Sequence, residues 1–173
     1  VYKRQNLSHE FSDTRKGNLV VQYSDFQKLY KNYYASGYSG GDTFTADGYL
    51  DPTERNNLII SGNIVNEFQT GSAKHTLLVG AEIIDTENEN YRYNTFFITT
   101  EDDNEVFNIT RPINFGVNAD GVRTYNDFTA DLKSSTQSDI EVTSIYIQDQ
   151  IDVTDNFKLL LGGRLDNFDI TVR

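Results

Sequence analysis

Alternation of apolar and polar residues predicts a long β-hairpin near the C-terminal end of the chain. Every second residue from Thr143 to Val153 is mostly apolar, and the residues between them are mostly polar, which is the two-residue period of a strand. Residues 154–156 read Thr-Asp-Asn and favour a turn, because Asx side chains bond their own backbone and tolerate left-handed angles. A second alternating arm runs from Phe157 to Leu165, with Leu160 as its irregular position.

Four earlier stretches of the chain are predicted to be strands, and the last three of them show similar alternation. They cover residues 1–12, 18–34, 54–69 and 76–93. Short turns at residues 13–17, 71–74 and 154–156 alternate with long polar connections at residues 35–53 and 94–139. Outer-membrane barrels combine short periplasmic turns with long extracellular loops. The pattern therefore predicts an all-β, antiparallel up-and-down meander of about six long strands, a segment of a large transmembrane β-barrel whose short turns face the periplasm.

Composition agrees with this interpretation without requiring it. Of the 173 residues 37% are hydrophobic, and the mean hydropathy of -0.55 leaves no apolar run able to cross a bilayer as a helix. Barrel strands alternate lipid-facing with lumen-facing residues, so a low average hydropathy is compatible with a barrel. The formal charge of -11 argues against a nucleic-acid partner, because phosphates would be repelled. Since the chain has no Met and no signal peptide, we expect it to be an internal fragment.

Two hairpins carry motifs of a known family. Residues 144–151 read Ser-Ile-Tyr-Ile-Gln-Asp-Gln-Ile, and residues 158–166 read Lys-Leu-Leu-Leu-Gly-Gly-Arg-Leu-Asp. Together they resemble the Y-x-Q-D … G-x-R-x-D hairpin of the TonB-dependent siderophore receptors. Thr70-Gly71, followed by Lys-His-Thr-Leu-Leu-Val-Gly-Ala-Glu at residues 74–82, resembles the tG … H-x-L-L-x-G-x-E hairpin of the same receptors. The two motifs stand in the order that the family has, with a long polar segment between them.

The resemblance implies a fold and a role for the whole chain. Residues 1–173 would form part of the β-barrel domain of a TonB-dependent receptor in the cell outer membrane, without the plug domain and the remaining strands. Such receptors are transporters and not enzymes, and they import ferric siderophores when TonB acts on the plug domain. The ferric siderophore would be the transported substrate, with no cofactor, and the partners would be TonB, the plug domain and outer-membrane lipid.

The resemblance also implies that aromatic and basic residues at the extracellular ends and loops bind the siderophore. The expected ligand-binding residues are Tyr91, Arg92, Tyr93, Phe96, Phe97, Arg123 and Tyr125, with Arg111 as a secondary candidate. Aromatic rings and guanidinium groups suit anionic, aromatic iron chelates, whereas aromatic residues at this height also form the outer girdle of a barrel. Arg164 and Asp166 lie on the polar face of the last predicted strand, where they would contact the plug domain or form a charged ladder in the barrel wall.

Catalytic and metal-binding functions find little support in the sequence. The histidines are His9 and His75 and there is no Cys, so nucleophilic triads are nearly excluded. His75 is expected to be solvent-exposed or interfacial because it follows a predicted turn. The pairs Asp47-Gly48 and Asp120-Gly121 lack the ligand spacing of an EF-hand and are interpreted as turns. We therefore expect neither a catalytic nor a metal site.

Two alternatives from other classes stay open on the sequence alone. A soluble secreted β-sandwich that binds carbohydrate or another surface ligand would explain the aromatic residues and the acidity equally well. A glycosidase-like enzyme has only its abundant carboxylates in its favour.

One apolar face distinguishes the barrel from the sandwich. It would meet lipid in a barrel but a second sheet in a sandwich. It consists of Leu58, Ile60, Ile64, Leu77, Val79, Ile83, Ile145, Ile147, Leu159 and Leu161. Because an isolated sheet with this face and two free edges is an association template, we expect the isolated fragment to self-associate.

Overall fold

The described residues form one β-sheet. The computed structural model describes residues 1–38 and 40–173, and these form seven strands. The strands are β1 (Tyr2–Ser12), β2 (Arg15–Gly37), β3 (Thr43–Thr70), β4 (Ala73–Phe97), β5 (Glu105–Asn108), β6 (Asn126–Thr154) and β7 (Phe157–Val172). Their order in the sheet is β1-β2-β3-β4-β6-β7, with the short β5 paired to β3. The six long strands follow one another in chain order, so the predicted all-β up-and-down meander is confirmed.

Short turns set the register of the hairpins at the two ends of the sheet. β6 and β7 pair antiparallel from Ser138 opposite Val172 to Thr154 opposite Phe157. The backbone N–H of Phe157 donates a hydrogen bond of 3.1 Å to Thr154 Oγ1, which closes the turn. The predicted C-terminal hairpin is therefore confirmed. At the other end of the sheet, β1 and β2 also pair antiparallel. In the described part of the chain, no helix is long and apolar enough to cross a membrane.

The long connections are shorter than the alternation predicted. β2 continues to Gly37 and β3 begins at Thr43, so most of the predicted loop at residues 35–53 is strand. Likewise, β4 continues to Phe97 and β6 begins at Asn126. The bounds predicted for both long connections are therefore wrong, because polar strands continue where the composition favours a loop.

The pair Asp47-Gly48 shows why composition misled at the first connection. It favours a turn, yet both residues lie inside β3. A Cβ atom at Gly48 would collide with the backbone oxygen of Asn32 and would stand 2.8 Å from Cγ2 of Thr95. Glycine is needed here because neighbouring groups approach the backbone closely, and not because the chain turns.

Unit 1 comprises Val1–Phe26, Arg55–Asn88 and Ser138–Arg173, and most of its large apolar side chains lie on the surface. Nine of the ten residues that distinguish a barrel from a sandwich are exposed, and Leu77 is half-buried. The nine are Leu58, Ile60, Ile64, Val79, Ile83, Ile145, Ile147, Leu159 and Leu161. Residues 1–38 and 40–173 contain no second sheet to cover this face, so the structure does not support the β-sandwich alternative.

Unit 2 comprises Gln27–Glu54 and Glu89–Gln137 and has an aromatic core. Ala46, Phe97 and Phe107 are fully buried in it. Phe107 contacts Phe115 edge-on at 5.2 Å between ring centroids, and Phe115 stacks on Tyr33 at 4.4 Å with an angle of 7° between the ring planes. The aromatic core thus attaches the segment between β4 and β6 to the strands of this unit.

The segment at residues 98–125 is further held by hydrogen bonds. The backbone N–H of Ile98 donates to the oxygen of Tyr125 at 3.2 Å, and that of Ala119 donates to the oxygen of Val106 at 2.8 Å. The buried carboxylate of Glu105 accepts hydrogen bonds from the Thr99 hydroxyl and from the backbone N–H of Val106. Buried polar groups are stable when they are paired in this way, so this segment is a folded part of unit 2.

Replacing Phe107 by Ala should loosen the segment at residues 98–125, because truncating a fully buried phenyl ring costs about 3–5 kcal/mol. Val106 precedes it on β5 and is 40% exposed, so Val106→Ala is a matched control with an expected cost below about 1 kcal/mol. Limited proteolysis of the full-length protein should cleave this segment faster in the Phe107→Ala variant than in the unchanged protein, and Val106→Ala should be cleaved at the unchanged rate. Equal cleavage of both variants would mean that the aromatic core does not hold the segment.

Candidate functional site

The polar face of unit 1 centres on Arg164 of β7. Its Nε donates to Asp166 Oδ1 at 2.7 Å, and its Nη2 donates to Glu82 Oε1 at 2.9 Å and to Ser144 Oγ at 2.8 Å. Ser144 Oγ in turn donates to Asp166 Oδ1 at 2.5 Å. Since β6 lies between β4 and β7 in the sheet, Arg164 spans β6 and links three strands.

Gly80 and Tyr146 form the second contact of this polar face. The ring of Tyr146 lies over Gly80 so closely that a Cβ atom there would overlap the ring. The Arg164 guanidinium carbon lies 5.7 Å from the centroid of the same ring. Glycine at this position therefore makes room for a tyrosine ring from the neighbouring strand, beneath the side chain of Arg164.

His75 and Asp149 form a third contact between β4 and β6. His75 Nδ1 lies 2.7 Å from Asp149 Oδ2, and the imidazole stacks on Phe68 of β3 at 4.7 Å with an angle of 3°. The side chain of His75 is 15% exposed, so the residue is largely covered rather than solvent-exposed. The alternation of β6 places Asp149 among apolar residues, and its contact with His75 gives one carboxylate oxygen a partner.

The two sequence motifs thus meet in the folded protein. The residues His75, Gly80 and Glu82 of the first motif contact Asp149, Tyr146 and Arg164 of the second. For Arg164 and Asp166 these contacts describe a charged ladder within the sheet. The sequence singled out both motifs but not their mutual contacts, because residues far apart in sequence supply them.

Unit 2 carries a different polar cluster, built from tyrosines and charged groups. We call Tyr30, Tyr34, Asp47, Tyr49, Asp51 and Arg92 the tyrosine face. Arg92 Nη1 donates to Asp51 Oδ2 at 2.9 Å, and its guanidinium carbon lies 3.6 Å from the ring centroid of Tyr49. The rings of Tyr30 and Tyr34 lie 5.7 Å and 6.1 Å from that of Tyr49. Arg92 is therefore already paired and stacked.

The hydroxyl of Tyr34 is fixed by Asp47. It donates a hydrogen bond of 2.6 Å to Asp47 Oδ2. This bond, together with partial burial and the negative charge of Asp47, raises the pKa of Tyr34 above its ordinary value. Tyr34 is 42% exposed and Tyr30 45%, so the tyrosine face offers the aromatic rings and hydroxyl groups of these residues to solvent.

The structure separates the residues that the sequence grouped as ligand-binding. The rings of Tyr91 and Tyr93 stack at 6.4 Å, and a hydrogen bond to Glu89 raises the pKa of Tyr91. Phe97 is fully buried in the aromatic core, whereas Phe96 is half-buried. Arg111, Arg123 and Tyr125 are exposed in the segment at residues 98–125. Of the expected residues only Arg92 belongs to the tyrosine face.

Sequence reasoning missed Tyr30, Tyr34, Tyr49 and Asp51 as members of one cluster. Tyr49 and Asp51 fall in the stretch that was predicted to be a loop, although they lie in β3. The available signal was the two-residue spacing of Asp47, Tyr49 and Asp51, which places all three on one face of a strand.

The remaining features of the described residues concern metal binding and a large groove in unit 1. Among residues 1–38 and 40–173, no group of three or more His, Asp or Glu side chains is arranged to hold a metal ion. A groove of about 940 Å³ lies in unit 1, and its lining combines apolar residues with polar ones. The apolar ones include Ile64, Val79, Ile145 and Ile147, and the polar ones include His9, Asn63, Tyr146 and Arg164. The four apolar residues belong to the exposed apolar face, whereas Tyr146 and Arg164 belong to the polar contacts described above.

Comparison with protein families gives one match over nearly the whole chain. A family model described as TonB dependent receptor-like, beta-barrel matches residues 2–173. None of the curated proteins compared with this chain matches it significantly.

Several solved structures resemble the fold. FpvA of P. aeruginosa, solved bound to heterologous pyoverdines in an iron complex, has 17% identity and a TM-score of 0.76, covering 99% of this chain and 22% of FpvA. The ferric-catecholate import receptor Fiu from E. coli K12 has 18% identity and a TM-score of 0.68, covering 99% and 24%. BauA, the ferric preacinetobactin receptor from Acinetobacter baumannii, has 20% identity and a TM-score of 0.66, covering 99% and 25%.

Replacing Gly80 by Ala should destabilise the sheet by about 1–3 kcal/mol, because the methyl group displaces the Tyr146 ring. In a Tyr146→Ala background the same replacement should cost much less, since the ring is gone. Gly163 has open space around its Cβ position, so Gly163→Ala is the matched control. Thermal unfolding of the purified protein in detergent measures all four variants. Equal costs of Gly80→Ala in both backgrounds would refute the proposed contact.

Proposed function

Because the chain belongs to the TonB-dependent receptor-like β-barrel family, we propose that it forms part of an outer-membrane active transporter that binds ferric siderophores and imports them with energy supplied through TonB. The observation that carries this proposal is the family match over residues 2–173. The chain spans about a quarter or less of the solved structures it matches. Its own contribution would be barrel wall and part of the substrate-binding surface.

The surface of unit 1 supports a location in the outer membrane. Its exposed apolar face suits lipid, because a transmembrane barrel presents an apolar band outward and polar residues inward. The ladder of Glu82, Arg164 and Asp166 lies on the polar face of the sheet, where charges can be paired or hydrated. This arrangement supports a barrel-wall role for Arg164 and Asp166, and a plug domain would contact the same face.

The relatives support an iron chelate as the transported substrate. FpvA is bound to pyoverdines with iron, Fiu is named for ferric-catecholate import, and BauA is named for ferric preacinetobactin. In this chain the tyrosine face is the best candidate surface for such a substrate, since its rings and hydroxyl groups are exposed side by side. Tyr91, Tyr93, Phe96, Arg123 and Tyr125 are accessible enough to contribute, whereas Phe97 supports the core. The role is transport and not catalysis.

Cell fractionation tests the location and the regulation together. Cells of the source organism would be grown with and without iron, and an antibody against this chain would detect the protein. We expect a band several times larger than the 19.7 kDa chain in the outer-membrane fraction, with more of it under iron starvation. A band near the size of the chain in the medium or in the soluble fraction would contradict the proposal.

Replacing Tyr49 by Ala should weaken binding of the ferric chelate about tenfold, because truncating an aromatic side chain at the centre of a binding surface costs about 1–2 kcal/mol. Tyr38 is an exposed tyrosine of the same unit outside the tyrosine face, so Tyr38→Ala is the matched control. Uptake of radiolabelled iron chelates by cells that express the full receptor measures both variants. Equal losses of uptake in the two variants would mean that the tyrosine face is not part of the binding surface.

A further inference from the structure

The tyrosine face has no free surplus of positive charge among the described residues. Arg92 is the cation at its centre, and Asp51 neutralises it at 2.9 Å while Tyr49 covers it at 3.6 Å. The other nearby cation, Lys28, lies 5.9 Å from the ring centroid of Tyr30. Asp47, which accepts a hydrogen bond from the hydroxyl of Tyr34, adds a second carboxylate to the face. The two cations Lys28 and Arg92 are thus matched in number by the two carboxylates Asp47 and Asp51, so the face offers an anionic ligand no net positive charge.

The rest of unit 2 is acidic. Its residues, Gln27–Glu54 and Glu89–Gln137, include twelve Asp and Glu but only six Lys and Arg. Asp103 lies close enough to Tyr34 to contribute to its raised pKa. A surface with an excess of one charge concentrates ligands of the opposite charge and repels those of its own. Unit 2 therefore favours approach of cations and opposes approach of highly charged anions.

We propose, building on the import function above, that the tyrosine face takes a neutral or cationic ferric chelate of the hydroxamate class rather than a tris-catecholate. Three hydroxamates carry three negative charges and balance ferric iron, and an amine on the chelator adds a positive charge. Three catecholates carry six negative charges and leave a trianion. The two classes thus differ in net charge, and the acidic surface of unit 2 discriminates between ligands by their charge.

The groups on the tyrosine face suit the proposed ligand. Tyrosine rings bind the planar and apolar parts of a chelator, and their negative faces attract an ammonium group. The carboxylates of Asp47 and Asp51 can accept hydrogen bonds from ligand N–H groups. A trianion would instead need the guanidinium of Arg92 released from Asp51, and a carboxylate that loses its partner at a half-buried site costs free energy.

The test uses cells that express the full receptor and lack other ferric-siderophore receptors. Uptake of radiolabelled iron is measured with a panel of neutral and cationic ferric tris-hydroxamates, including iron–desferrioxamine B, and a panel of ferric tris-catecholates, including iron–enterobactin. Uptake confined to hydroxamates supports the inference. Uptake of a tris-catecholate overturns the inference and leaves the import function intact. Uptake from neither panel counts against the import function itself.

Variants of the charged residues make the test specific to this surface. Asp51→Asn removes a negative charge and frees Arg92, so it should lower uptake of a cationic hydroxamate by about fivefold, the size expected for one partly screened charge near the ligand. Asp120 is an exposed carboxylate of unit 2 outside the tyrosine face, and Asp120→Asn is the matched control. An unchanged uptake in Asp51→Asn, with normal amounts of receptor in the outer membrane, would overturn the inference. An equal loss of uptake in Asp120→Asn would overturn the assignment of the ligand to the tyrosine face.

Discussion

Each strand of this sheet depends on the backbone hydrogen bonds that its neighbours provide. In hydrocarbon no water can replace those bonds, so strands that cross a membrane must run without interruption beside their partners. The sheet meets this condition with six long strands in chain order, in which short turns join β1 to β2, β3 to β4 and β6 to β7. Once the backbone is satisfied in this way, side chains alternate between two faces and each face can carry its own chemistry. Lipid contact and polar contacts can then coexist in one layer.

The polar face of unit 1 shows what this division permits. Arg164 makes its contacts across three strands, and the ring of Tyr146 fills the space that Gly80 leaves open. Exposed ion pairs are individually weak, but a network that joins side chains from three strands also specifies their register, because a slip by one residue would move every member to the opposite face. We therefore interpret the family motifs in this chain as register determinants.

The sequence predicted the hairpins well, because alternation and turn chemistry are local. The turn that follows Thr154 and the pairing of its two arms are confirmed for this reason. Contacts between distant residues were not predictable in the same way. Arg92 and Asp51 are 41 positions apart, and Arg164 and Glu82 are 82 apart. Their residue types signal charge, but only the arrangement of the strands determines which opposite charge each one meets.

The neighbours Tyr33 and Tyr34 show how one strand can contribute both to the aromatic core and to the surface that we propose for binding. Tyr33 packs against Phe97 and Phe115 in the aromatic core, whereas Tyr34 contacts Asp47 and Tyr49 on the tyrosine face. Because adjacent residues of a strand point to opposite faces, burial of the first fixes the position of the second. A binding surface held in this way loses little conformational entropy when a ligand arrives. The aromatic core of unit 2 thus preorganises its tyrosine face.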